Sequence, residues 1–521
     1  MRRIGIDVGG TNTDAVLVDD SGVVAAAKTP TTGDVTTGIL TVLADLLSRL
    51  GGGAGPVDAV VVGTTHFTDA VVQRRDLEPV AALRIGLPSG RSLPPFVDWP
   101  EDLAAIARGA VFMVEGGHEV DGRPLAPFDE RATREAAERI RDLGFGAVAV
   151  SAVFSPLTPE CEERAAAILR DAIPGISVTC SHELGRIGLL GRENAALLNA
   201  ALVPLARRTV RAFVAALRES GIQAPLYLTQ NDGTVMRADF AEAFPVWSFS
   251  SGFANSMRGA AYISGLADAM VVNVGGTTTD IGHLKAGFPR EAARAVEVGG
   301  VRTLFRMPDL LSMGLGGGSI VDPEHRTVGP RSVGYRLTDE ARVFGGSTLT
   351  ATDLAVALGI ADIGDRSRVA NLNDKMVGAA FLRCALLIEE GVDRMKMDAF
   401  PLPLLAVGGG AFLVPPELQG ISEVIHVEHA GVANAVGAAI AQVSGEVDQV
   451  FTGVGRERAL QEAEGLARAR AVEAGAAEAT LELVEAEDIP LAYLPGDALR
   501  VRVRVVGEAA APITSSRDAS T

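Results

Sequence analysis

The octapeptide Asp-Val-Gly-Gly-Thr-Asn-Thr-Asp at residues 7–14 returns almost unchanged at residues 273–280 as Asn-Val-Gly-Gly-Thr-Thr-Thr-Asp. Six of the eight positions agree, and the copies begin 266 residues apart. Each copy lies between two apolar runs, so each reads as strand, tight turn, strand. A unit repeated at this distance predicts two lobes of like fold. Paired glycines in such a turn bring backbone N–H groups close to a ligand, and threonine hydroxyls add donors without bulk. An acid at the strand end suits a hard cation that prefers oxygen ligands. Two facing turns of this kind predict that the phosphates of one nucleotide are held between the lobes.

The rest of the chain fits that frame. Residues 57–66, 146–154, 224–233 and 402–410 are apolar at nearly every position, as strands covered on both faces are, and helical patterns lie between them. The expected class is α/β. Helices are expected over 129–144 and over 192–221, with Pro204 breaking or kinking the second. The repeat places a first lobe at 1–180, a second at 181–445 and a tail at 446–521. The tail should hold a helix over 456–479, two half-exposed strands and a disordered end from residue 511.

A formal net charge of −18 argues against a nucleic-acid partner, which needs a basic face. The three cysteines, Cys161, Cys180 and Cys384, have no metal-ligand or disulfide spacing. No apolar run approaches the roughly 20 residues of a membrane span, so a reduced, cytoplasmic protein is expected. The Walker A motif, His-Glu-x-x-His and Gly-x-Ser-x-Gly are all absent from the sequence.

Nine ordered segments between residues 3 and 440 then resemble one family. They include "RIGIDVGGTNTDAVLVD", "VVGTTHFTDAVVQRR", "SGFANSMRGAAY", "NVGGTTTDIG", "SMGLGGGSIV" and "LPLLAVGGGAFLVP". The chain resembles the hydantoinase/oxoprolinase family, in particular its ATP-binding, hydantoinase A-type subunit, within the actin-like ATPase and sugar-kinase superfamily. The resemblance implies two actin-like, ribonuclease H-like lobes around a nucleotide cleft and a small C-terminal α+β tail. It also implies ATP with Mg²⁺ as cofactors and the ring opening of a cyclic amide such as hydantoin, 5-oxoproline or another lactam. The carbonyl oxygen would be phosphorylated so that water can open the ring. A second hydantoinase-type subunit is expected as partner, and a homo-oligomer is open.

On this reading Gly9, Gly10, Thr11 and Thr13 cradle phosphate in the first turn, and Gly275, Gly276, Thr277 and Thr278 do so in the second. Gly316, Gly317, Gly408 and Gly409 lie against the nucleotide. Asp7 and Asp280 serve the metal, and Asp14 is the counterpart of Asp280, either catalytic or a turn residue. Two departures from the family pattern stand out. Asn273 replaces the usual acid of Asp-x-Gly-Gly-Thr, which removes a charge from the metal pocket. His66 stands where a small apolar residue is usual, with Asp69 on the same helical face, and is a candidate acid or base against a structural alternative. A kinase of the same superfamily and an ATP-switched, non-catalytic module remain as rival functions, the latter favoured by Asn273.

Overall fold

The computed structural model describes residues 1–510 apart from 11, 33–34, 52–54, 293, 326, 398 and 493–495. Thr11 and the expected disordered end at 511–521 lie outside the described residues.

Both copies of the repeat are antiparallel hairpins. Strand β1 (Arg2–Val8) pairs with β2 (Asn12–Asp19), and Asp7 stands opposite Asp14. In the second copy Ala269–Val274 pairs with Thr279–Lys285, and Asn273 stands opposite Asp280. The neighbours repeat as well. Beyond β2 runs the antiparallel β3 (Gly22–Pro30), and on its other side β1 lies parallel to β4 (Ala59–Thr64). Ala269–Val274 is likewise parallel to Leu402–Val407. The duplication seen in eight residues therefore extends to a whole sheet arrangement, and the α/β class and doubled architecture stand as expected.

Sheet membership departs from the expected lobe boundaries. The nine-stranded sheet of the first hairpin also takes in Leu226–Thr229, Val235–Arg237, Val443–Phe451, Glu482–Pro490 and Leu499–Gly507. Leu226–Thr229, assigned by sequence to the second lobe, bonds to β4, Val235–Arg237 follows it in the sheet, and the tail strands extend the same sheet instead of forming a separate unit. Chain position misleads here because the chain leaves this sheet and returns to it twice. The second hairpin belongs to a six-stranded sheet, and residues 80–180 contribute a parallel four-stranded sheet of their own.

A buried ion network ties the tail to the body. Arg504 is 3% exposed and reaches Glu485, Glu291 (3.3 Å) and Asp232 (3.7 Å), while Arg306 and Arg502 share the same acids. The expected tail helix is Arg456–Glu473, whose Ala459, Ala463, Ala467 and Ala471 line one buried stripe at helical spacing.

The long helix Leu189–Glu219 is continuous through Pro204, so of the expected break or kink the break does not occur. Its residues 192–203 are buried all round. Packing on that scale outweighs the roughly 3 kcal/mol that an internal proline costs.

Candidate nucleotide site between two hairpins

The two turns are closed by the same bond. Gly9 N–H donates to Asn12 O at 3.1 Å, and Gly275 N–H donates to Thr278 O at 2.8 Å. In both copies the strand ends are buried while the tip is open: Gly10, Thr277 and Thr278 are exposed. Thr13 is fully buried, with its hydroxyl 3.2 Å from that of Thr31, which in turn donates to Gly9 O at 2.7 Å. Its equivalent Thr279 donates to Leu315 O at 2.7 Å. These hydroxyls brace the turns from behind instead of facing the open tips.

The glycine runs fall on the second turn. Gly317 and Gly318 N–H donate to the carbonyls of Gly275 and Gly276 at 3.0 and 2.7 Å, and a Cβ on Gly316 would stand 2.6 Å from Thr277 N. Gly408 adopts φ +89°, and a Cβ there would meet Asn273 Oδ1 at 2.4 Å. Gly409 faces open space. Gly316, Gly317 and Gly408 are thus backbone that supports the turn, whereas Gly409 is free to meet a ligand.

The acids are short of positive charge. Burial, followed by the charge of Asp14, pushes the Asp7 carboxyl up to about 7, against the pull of the Asn434 amide and Lys28. Asp14 is raised by burial despite Lys28 Nζ at 2.7 Å. Asp280, opposite Ser312 in register, is also raised by burial, with Ser312 opposing. Among the described residues the buried Asn255 Oδ1 has no hydrogen-bond partner, and the Asn255 Nδ2 and Asp7 Oδ1 both lie within 3.0 Å of where a Cβ on Gly63 would stand. The desolvated Asp7 carboxylate, close to the Asn255 amide, is an oxygen donor that suits a hard cation such as Mg²⁺.

His66 opens the helix His66–Val72 beside this cluster, because β4 delivers Thr64 opposite Val8. Its Nδ1 lies 3.0 Å from Thr64 Oγ1, and Asp69 accepts from Thr65 Oγ1 at 2.8 Å, so each has its own threonine partner. Burial lowers the His66 pKa, with Asp69 opposing, and favours the neutral imidazole.

Ser256 and Asn434, which join the two hairpins, are not singled out by any sequence motif. Asn273 Nδ2 lies 3.0 Å from Ser256 Oγ, the Ser256 hydroxyl bonds to Asn434 Oδ1, and Asn434 Nδ2 donates to Asp7 Oδ2 at 3.1 Å. Ser256 sits on the helix Ser251–Ser264 and Asn434 on Ala433–Ile440. The available signal was a small polar residue set in each of two Gly/Ala-rich helical segments.

With this geometry in place, the comparisons decide the family. The hydantoinase/oxoprolinase N-terminal region matches residues 3–173, and the hydantoinase/oxoprolinase domain matches residues 192–396. The chain belongs to the hydantoinase/oxoprolinase family. It is 29% identical over 380 residues to the caprolactamase subunit alpha of Pseudomonas jessenii, covering 68% of this chain and 54% of that one. It is 26% identical over 399 residues to the acetophenone carboxylase gamma subunit of Aromatoleum aromaticum, covering 69% and 53%. The chain therefore spans about half the length of the curated relatives it matches. Its fold is that of the ATP-dependent caprolactamase from Pseudomonas jessenii (TM-score 0.76, 21% identity, 97% of this chain and 87% of that one). Nucleotide-free acetone carboxylase shares it (TM-score 0.70, 19% identity, 98% and 89%). Among the described residues, no helix is long and apolar enough to cross a membrane.

Proposed function

We propose that this chain binds Mg-ATP between its two hairpins and uses it to activate the carbonyl of a cyclic amide for ring opening, as one subunit of a larger enzyme. The observation that carries the reading is the pair of equivalent turns whose strand ends are hydrogen-bonded to one another. Family membership and the activities of the relatives, on a lactam in one case and an acetophenone in the other, support carbonyl activation as the common chemistry.

In this reading the exposed tips, Gly10 on one side and Thr277 and Thr278 on the other, face the phosphates, since Gly9 and Gly275 N–H already close the turns. Asp7, Asp280 and the Asn255 carbonyl would hold Mg²⁺, which supplies charge neutralisation for phosphoryl transfer when bound. Lys28 keeps Asp14 paired beside Asp7. Neutral His66 is suited to take a proton at Nε2 while Nδ1 stays on Thr64. The acceptor is the amide oxygen. Its phosphorylation, with ADP as leaving group, makes the carbon electrophilic enough for water to attack; the ring C–N bond then breaks as the nitrogen takes a proton, and a second water releases phosphate from the acyl phosphate left behind. Asn273 has a place in the bridge between hairpins, which removes the reason to prefer a non-catalytic switch.

The test is ADP release from Mg-ATP across lactams, hydantoins, 5-oxoproline and simple ketones, with Asp7→Ala as control and with the partner subunit added. Release stimulated by one ring class and lost in the variant is the expected result. Ring opening that proceeds without ATP would rule the reading out.

A further inference from the structure

We propose that Ser256 and Asn434 form a polar strut between the two Gly-Gly-Thr turns, anchored on the Asn273 amide, that holds the Asp7 carboxylate in the orientation a phosphate-bound cation requires. The proposal deepens the nucleotide reading above and rests on it.

The direction of every bond in the strut follows from its last member. A carboxylate only accepts, so Asn434 must present Nδ2 to Asp7 Oδ2, the contact at 3.1 Å. That turns Asn434 Oδ1 toward Ser256, whose single proton must then be donated to it. Ser256 Oγ is left as an acceptor, and Asn273 Nδ2 supplies the donor at 3.0 Å. An acid at 273 has no proton to give as a carboxylate. It would draw the Ser256 proton to itself and leave Asn434 Oδ1 without a donor; a flipped Asn434 would instead aim its oxygen at Asp7. The amide at 273 is the residue that lets the strut point toward Asp7.

The scaffold around the strut leaves little slack. A Cβ on Gly259 would stand 2.0 Å from Ala433 O, and one on Gly437 would stand 1.9 Å from Asn255 O, so the two helices that carry Ser256 and Asn434 touch backbone to backbone. A Cβ on Gly5 would stand 2.0 Å from Ala435 O, which seats the second helix on β1 one residue from Ile6 and two from Asp7. Ser256 is fully buried. Four segments from distant parts of the chain therefore meet at three side chains and the carboxylate they support. Ser256, Asn434 and Asn273 are positioning residues: they act on the cation site through Asp7.

Ser256→Ala removes one buried oxygen and creates no clash. Calorimetric titration with ATP, once with Mg²⁺ and once with the metal chelated, should show the Mg-ATP Kd weakened about tenfold and the metal-free Kd unchanged, the effect of losing a hydrogen bond that supports a charge. Asn273→Asp should weaken Mg-ATP in the same way. Equal weakening with and without metal, no weakening, or tighter binding by Asn273→Asp overturns the proposal. A second arm needs no nucleotide: a double-mutant cycle of Asn273→Ala and Asn434→Ala, followed by urea denaturation. Non-additivity that disappears in the Ser256→Ala background supports the strut; additivity in both backgrounds overturns it. Should the Asn434→Ala protein not fold, Asn434→Asp takes its place in the cycle. A chain that shows the coupling yet binds no ATP would leave the strut standing and bring down the nucleotide reading alone.

Discussion

Gly437→Ala puts the helix crossing behind the site to a direct test. The new Cβ would lie 1.9 Å from Asn255 O, 2.6 Å from its carbonyl carbon and 2.9 Å from its Cα. Non-bonded heavy atoms settle at roughly 3.5 Å, so the helices Ser251–Ser264 and Ala433–Ile440 must part by about 1.5 Å. Overpacking of this kind costs about 1–3 kcal/mol, and more where backbone is the obstacle. The gain in helix propensity from glycine to alanine returns about 1 kcal/mol. With backbone as the obstacle the cost lies at the upper end, and a net loss of about 2 kcal/mol is expected. A 1.5 Å separation also takes the Ser256–Asn434 bond past the hydrogen-bonding limit, so Mg-ATP affinity should fall with stability. Gly378→Ala is the matched control: it is the same change within the helix Asp374–Met395, where a Cβ meets nothing within 4 Å, and it should stabilise. Urea midpoints of both variants, read as midpoints because a chain of several sheets need not unfold in one step, give the answer. A Gly437→Ala midpoint equal to or above that of the parent would refute the close crossing.

Asp7→Asn should stabilise the nucleotide-free protein at pH 8 and change little at pH 4. A carboxyl whose folded pKa is raised from 3.8 to about 7 contributes its stability below pH 3.8 and loses it as pH rises through 7, by at most about 4 kcal/mol; thermal midpoints at both pH values check this. Gly316→Ala drives a Cβ onto the backbone of the second turn and should weaken ATP binding together with stability, whereas Gly409→Ala should weaken binding alone, as titration and urea midpoints will show. Arg504→Met leaves Glu485 and Asp232 short of a buried partner and should cost about 3 kcal/mol. Arg456→Met, which breaks an ion pair of a largely exposed arginine with Asp488, should leave the urea midpoint nearly unchanged.

The hairpins were legible in the sequence because their chemistry is local. Two glycines and a threonine between apolar runs specify a turn without help from the rest of the chain, and a second copy removes the ambiguity of the first. Strands such as 57–66 and 402–410 were legible for the same reason. The strut was not, since Asp7, Ser256, Asn273 and Asn434 are brought together only by the packing of helices on two sheets. Lys28 was missed because its role follows from strand register, which sets it opposite Asp14. Thr13 and Asn273 show the opposite limit: residue type suggested a phosphate donor and a damaged metal site, but the neighbours give the first to Thr31 and the second to Ser256. Sheet membership was not legible because sequence order does not encode which sheet a strand rejoins.

The most direct measurement of the central claim is a structure of the chain with Mg²⁺ and a non-hydrolysable ATP analogue. The account predicts the phosphates between the two turns, touched by the Gly10 side and by the Thr277–Thr278 side, with the cation on Asp7. A nucleotide bound away from either turn, or held by one hairpin while the other stays clear of it, would contradict it.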